Sequence, residues 1–210
     1  DYDSGWKDAL QLALDEFLAL LFGKLHAEID WSKPFRLLDK ELREVLRDLR
    51  QGKRNADLLV EVFLKNGQSL VHHLHIEVQA EWEDGFAERI YHYNYRFGAL
   101  LKRPISSLVI YADSNPNWKP NSFAWKCPAG ATSTAFTFDV AKILDFKDCR
   151  DELEAQVHDQ NMAAMVVLAQ LDAIEAKGNS PKKLEMRKRL IRRMFEAGFS
   201  RERIVNLFRI

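Results

Sequence analysis

The chain is poor in cysteine, with Cys127 and Cys149 the only two among its 210 residues. Two cysteines make no disulfide framework, and no C-x-x-C spacing occurs, so a stapled extracellular scaffold is excluded. A reducing, cytoplasmic compartment fits that usage. Long apolar runs are missing too. The stretch from Leu12 to Leu25 is interrupted by Asp15, Glu16 and Lys24, and a membrane span needs about 18 or more apolar residues. No membrane partner is therefore expected. Overall charge of either sign is absent, with 31 Lys and Arg against 31 Asp and Glu. The chain has no internal repeat, no low-complexity tract, and no P-loop, G-x-G-x-x-G or G-x-S-x-G motif.

What is present is an ordinary globular composition, 47% hydrophobic and 30% charged. A chain of this length buries a core without disulfides, as one large domain or one domain with an appendage. Charge is segregated along it. Residues 181–210 hold ten Lys or Arg and three Glu, net +7, which leaves −7 for the remainder. A basic end of this kind either meets an anion such as nucleic acid or forms a solvated, salt-bridged helical surface.

Hydrophobic spacing predicts the elements. Ser4 caps a first helix carrying Trp6, Leu10, Ala13, Leu14, Phe17, Leu18 and Leu21 on one face, and Gly23 ends it. Residues 35–49 read as a strand-like start running into a helix through Leu38, Leu42, Val45, Leu46 and Leu49. Strands are expected over 57–64 and 69–80, joined at Asn66-Gly67, two residues that tolerate positive φ. A helix follows over 86–101 until Pro104, then a buried strand over 105–112, a turn-rich loop "DSNPNWKPN" and a strand over 134–140. From about Cys149 onward the chain reads as helical. Strands interleaved with helices predict an α/β or α+β fold. The division expected is a core over 1–147 and a helical C-terminal region over 148–210.

The stretch "LHIEVQA" sets Glu77 and Gln79 inside a strand. Alternation puts both on one face with His73 and His75, while Leu74, Ile76 and Val78 take the other. A hairpin centred on Asn66-Gly67 pairs residues whose numbers sum to about 133, which sets Asp57 opposite Ile76, or opposite Glu77 after a one-residue bulge. Two facing carboxylates repel unless something neutralises them. A divalent cation such as Mg²⁺ would do so, held by Asp57, Glu77 and a main-chain carbonyl, that of Val78. Exposed edge residues are the plainer reading of the same two acids.

Wider stretches carry a resemblance. An acid opening one strand in "NADLLVEV", followed by "HIEVQ" ending the next, resembles the PD-(D/E)XK nuclease superfamily. "SGWKDAL", "HAEIDW", "LLDKEL", "IEVQ", "FAERIYHYNYR" and "MFEAGFSRERIVNLF" look like the Rpn family of recombination-promoting nucleases and transposases. The resemblance implies a restriction-endonuclease-like core, a mixed central sheet flanked by helices, with a C-terminal helical region. It implies a Mg²⁺-dependent DNA endonuclease, Mn²⁺ being a possible substitute, with catalytic residues Asp57, Glu77 and Gln79 and metal ligands Asp57, Glu77 and Val78. Gln79 departs from the superfamily lysine. Rpn-like proteins often carry Gln there, and an amide orients water without supplying positive charge. Arg89, Tyr93 and Arg96 share a helix face and could reach a phosphate, and Lys7 matches a lysine of the opening motif. Glu16 corresponds to the acid that many superfamily members carry on the first helix. The other readings are a DNA-binding protein with an inert site, or a homodimer built through the apolar side chains of the helical tail.

Overall fold

The computed structural model describes residues 2–48, 58–65, 70–177, 179–202 and 205. Asp57 and the Asn66-Gly67 bend lie outside the described residues. The fold is α+β. Three short helices, α1 (Tyr2–Leu12), α2 (Leu14–Leu21) and α3 (Gly23–Glu28), precede β1 (Arg36–Leu37) and α4 (Asp39–Asp48). Then come β2 (Leu58–Phe63), β3 (Val71–Gln79), α5 (Phe86–Leu101) and β4 (Ile105–Tyr111). A hairpin of β5 (Ser122–Lys126) and β6 (Ser133–Thr137) leads to β7 (Asp139–Lys142), and α6 (Arg150–His158), α7 (Met162–Glu175) and α8 (Ser180–Glu196) close the chain. Two compact units interleave along it. One comprises Asp1–Ala27, Ala112–Pro116 and Lys142–Ile210, the other Glu28–Tyr111 and Asn117–Ala141. The expected division at 147/148 falls inside the first of these.

The second unit is built on a five-stranded sheet of order β1-β2-β3-β4-β7. β1–β2 and β2–β3 pair antiparallel and β3–β4 parallel, so the sheet is mixed. Parallel neighbours need a crossover, and α5 supplies it. Its apolar positions Phe86, Ile90, Tyr93 and Phe97 recur at three- and four-residue steps, and all four are buried. They form one core with Leu38 just before α4, Leu42 and Val45 of α4, Leu59 of β2, and Val109 and Tyr111 of β4. The other sheet face carries Leu58, Val60, Leu74, Ile76, Leu108 and Ile110, each at most 1% exposed. Burial of both faces is why these strands read as near-continuous apolar runs.

The β2–β3 register pairs Leu58 with Ile76 and Phe63 with Val71, so partner numbers sum to 134. Ile76 is therefore taken by Leu58, and the pairing of Asp57 with Ile76 is corrected. The strand expected over 134–140 is two strands, and β5 was not anticipated in the turn-rich segment before it. The single helix expected up to Gly23 is interrupted at Ala13 (φ −139°, ψ 39°) and Phe22 (φ −137°, ψ 49°), where the backbone leaves the helical region.

The first unit is helical. α7 buries nine of its residues, Met162 to Asp172 among them, as a helix apolar on nearly all sides must. Asn161 caps it, accepting from Ala164 N at 2.9 Å. The Glu16 carboxylate of α2 accepts from Met162 N and Ala163 N at the same helix start. Negative charge is favoured there by the unsatisfied amides. α8 ends on Gly198 at φ 79°, with Phe199 N bonded to Met194 O and Gly198 N to Phe195 O, each at 3.0 Å. That is a Schellman ending, which only a left-handed residue makes without strain.

Candidate functional site

The polar face of β3 is not solvated. His73, His75 and Glu77 are 5%, 0% and 2% exposed, so three polar side chains sit in a row under α5. Burying a carboxylate costs several kcal/mol unless it is paired and hydrogen-bonded, on the order of the effective desolvation penalty per ion. The pairing comes from α5. Arg89 Nη1 donates to Glu77 Oε1 at 2.8 Å, and its Nη2 donates to Gln79 Oε1 at 3.0 Å and to Glu83 Oε2 at 3.2 Å. Its Nε lies 3.1 Å from Glu83 Oε1. Phe86 and Tyr93 flank the guanidinium, their ring centroids 4.9 and 5.4 Å from it.

Arg89 sits one α5 turn before Tyr93, which explains how one helix supplies both the cation and a wall of its pocket. Burial by itself lowers the Arg89 pKa, but the charge of Glu77 and the bond to Tyr93 outweigh it, so the guanidinium is held charged more firmly than usual. Gln79 uses both ends of its amide. Oε1 accepts from Arg89, and Nε2 donates to Glu81 O at 2.6 Å and to Glu83 Oε2 at 3.4 Å.

His75 completes the row. Its ring meets Tyr93 edge-on at 5.5 Å and Phe97 at 5.1 Å, and Nδ1 lies 3.5 Å from Ser107 Oγ. Complete burial, helped by the nearby Arg89 charge, depresses its pKa from 6.5 to about 3, so the ring is neutral at physiological pH. Nε2 lies 3.9 Å from Glu77 Oε2. Farther along, Arg36, Glu61 and His73 form a polar row across β1, β2 and β3, with Arg36 Nε and Nη2 donating to Glu61 at 3.1 and 3.0 Å. Those two bonds hold the Glu61 carboxyl below its ordinary range.

The structure thus brings Glu77, Gln79, Arg89 and Tyr93 together. Arg89 and Tyr93 are 6% and 0% exposed, turned into the cluster rather than presented at a surface. Arg96 is half-buried and stands outside the cluster. Lys7 lies half-buried on α1 in the other unit. Val78 is buried, paired in register with Ile110. Past Ile76 the described β2 ladder stops while the β4 ladder runs on to Gln79, so residues 77–79 have a strand partner on one side only among the described residues. Sequence reasoning missed Glu83, whose signal is its position between the strand end and the helix that carries Arg89.

No group of three or more His, Cys, Asp or Glu side chains able to hold a metal occurs among the described residues. Two carboxylates, Glu77 and Glu83, face the one guanidinium of Arg89. The basic tail is partly spent internally. Arg193 pairs with Glu154 at 2.7 Å and Arg189 with Asp172 at 3.6 Å, while Lys188 and Arg192 are exposed. Leu184 and Phe195, each 55% exposed, are apolar groups that α8 leaves at its surface, and Met194 is buried. No helix among the described residues is long and apolar enough to cross a membrane. No family model, no curated protein and no solved structure matches the chain.

Proposed function

We propose that the chain is a metal-dependent endonuclease that hydrolyses DNA phosphodiester bonds, with Asp57 and Glu77 as carboxylate ligands of one Mg²⁺ and the Val78 carbonyl as a third donor. The observation that carries the reading is the buried polar cluster at the end of β3, where Glu77 and Gln79 share a face and Arg89 binds both of them and the Glu83 carboxylate. The described ladder ends with Leu58 paired to Ile76 and Asp57 lies outside the described residues; a nearest-neighbour placement of Asp57 and Glu77 is part of the proposal. Nearest partners across antiparallel strands lie about 4.5–5.5 Å apart, within the span that one cation bridges.

What a bound Mg²⁺ supplies at such a place is Lewis acidity toward a phosphoryl oxygen and a more acidic water. The chain's own residues do the rest. Arg89 fixes Oε1 of Glu77 and so sets the orientation of the carboxylate. Gln79 offers an amide to orient water, its own orientation fixed at both ends by Arg89 and Glu81. The positive charge that the resembled superfamily draws from a strand lysine comes here from Arg89 on α5.

A second reading rests on a specific observation. Glu77 is 2% exposed and ion-paired at 2.8 Å, which also describes a closed structural pair in a protein that binds DNA without cutting it. Nicking of supercoiled plasmid and binding of the same DNA, measured in one Mg²⁺ titration, separate the two. Asp57→Ala is expected to abolish nicking and leave binding within about twofold, since uniform phosphate contacts elsewhere carry affinity. Nicking by purified Asp57→Ala at the wild-type rate refutes the metal assignment. Binding without nicking in any divalent ion selects the second reading.

A further inference from the structure

Acidic residues are spread through the chain, 31 in 210, yet between Glu88 and Asp113 there is none, and none between Asp113 and Asp139. Asp113 itself is buried, its Oδ2 accepting from Lys142 at 2.5 Å. The same span holds six basic residues, of which Arg89 is consumed by Glu77. Lys102, Arg103, Lys119 and Lys126 are exposed and Arg96 is half-buried. In a chain of zero net charge, the second half of α5 and the β5–β6 hairpin carry basic residues and no acidic one, and both lie within one compact unit.

Aromatic groups lie in the same place. Phe123 opposes Phe136 across the hairpin and Trp125 opposes Thr134, so all four share one face. That face packs on α5. Tyr91 stacks on Phe123 with centroids 5.3 Å apart and an interplanar angle of 26°, and meets Phe136 at 5.7 Å. The loop before the hairpin and then the hairpin meet α5 in chain order, Trp118 at Phe86 and Phe123 at Tyr91. Trp125 lies two residues past Phe123 on the same hairpin face, and Tyr95 lies one helical turn past Tyr91. Both rings are open, Tyr95 65% and Trp125 42% exposed. Arg96 and Lys126 are their chain neighbours.

We propose that Tyr95 and Trp125, flanked by Arg96 and Lys126, form a stacking ledge for unpaired bases of single-stranded nucleic acid. Every base has a π face, so aromatic rings at the surface hold single strands without reading sequence, while cations track the phosphates. A duplex offers its bases only as edges, and the ledge takes the single strand in preference. The inference deepens the nucleic-acid reading of this chain by naming the structure recognised. It concerns binding alone and does not require the Glu77 cluster to cut.

The test is anisotropy of fluorescein-labelled oligothymidylate, oligouridylate and a mixed-sequence duplex with the full chain in EDTA, so that cleavage plays no part. Tyr95→Ala with Trp125→Ala is expected to weaken the single strand by at least about 10-fold, from the usual worth of base–aromatic stacking, and the duplex by much less. Tyr95→Phe with Trp125→Phe keeps both ring faces and is expected to stay within about twofold, which separates stacking from misfolding. Lys126→Gln is expected to flatten the salt dependence by about 0.7 in log–log slope. A preference for oligouridylate or oligothymidylate assigns RNA or DNA as the strand. Unchanged single-strand affinity in the double alanine variant overturns the proposal, as does an equal loss on duplex. So does a shift of that variant from dimer to monomer in sedimentation with binding intact, which makes the ledge a self-interface. Asp57→Ala binding the oligonucleotide normally while failing to nick plasmid keeps failure of the nuclease reading distinct from failure of this one.

Discussion

Replacing Arg89 by methionine removes the guanidinium while keeping an unbranched apolar stem in the slot between Phe86 and Tyr93. The Arg89 and Glu77 side chains are 5% and 3% exposed, so water screens their interaction little. At a separation of 2.8 Å and an effective dielectric near 20, the gross attraction is about 6 kcal/mol. Desolvation of both ions offsets most of it in the intact protein. Once the cation is gone the offset no longer applies, and a stranded carboxylate remains. Loss of one partner of a buried pair costs about 3–5 kcal/mol.

Urea unfolding of Arg89→Met, followed by tryptophan fluorescence and far-UV circular dichroism, is expected to show that loss at pH 7. Two controls identify the cause. Glu77→Gln with Arg89→Met leaves no charge at the fully buried position 77 and is expected to be more stable than Arg89→Met alone, the partly exposed Glu83 losing Arg89 equally in both. The deficit of Arg89→Met against wild type is expected to shrink as pH falls, because a buried carboxyl without a counter-charge takes up a proton more readily. A single variant within about 1 kcal/mol of wild type, the range of an exposed ion pair, refutes the argument, as does a double variant less stable than the single one.

Two further outcomes follow from the geometry. His75 resists its proton down to about pH 3 in the folded protein but binds it near 6.5 once unfolded, so its contribution is complete above about 6.5 and is lost as pH falls toward 3. His75→Phe, which retains the ring contacts to Tyr93 and Phe97, is expected to flatten the acid limb of stability measured by urea titration between pH 7 and pH 4. Gly198→Ala puts a Cβ at φ 79° and 3.3 Å from Gln160 Nε2 and is expected to cost about 1–2 kcal/mol in thermal unfolding.

Local chemistry was legible where one rule decided the outcome. The helix from Phe86 to Leu101 and the strand at Ile105 follow from apolar period and from Pro104 as a breaker. The strand-like start before α4 was also readable, with Arg36–Leu37 pairing to β2. The polar face of β3 was predictable from alternation, but its burial was not. That depends on α5 folding back over β3 after the strand ends. Arg89 read by itself is a solvated cation on a helix, and only its seat against Glu77 turns it inward. Glu16 is a longer-range case, since the helix whose start it caps lies 146 residues away. The β5–β6 hairpin hid because prolines and small polar residues surround its aromatic positions, so turn chemistry dominated the reading.

The glutamine at position 79 follows from the same cluster. Its neighbours ask for an acceptor toward Arg89 Nη2 and a donor toward Glu81 O. A lysine is donor only and a carboxylate acceptor only, whereas an amide is both. Lysine at 79 would leave Arg89 Nη2 short of one acceptor and set two cations side by side. Gln79→Lys is therefore expected to lose about 1–3 kcal/mol of stability, the cost of a stranded polar group, and to gain no nicking activity. Pairing it with Arg89→Gln returns the amide and the single positive charge with their places exchanged, from helix to strand. Urea unfolding is expected to show the pair more stable than Gln79→Lys alone. A Gln79→Lys protein as stable as wild type that nicks plasmid faster would mean that Arg89 is not the cation this cluster depends on.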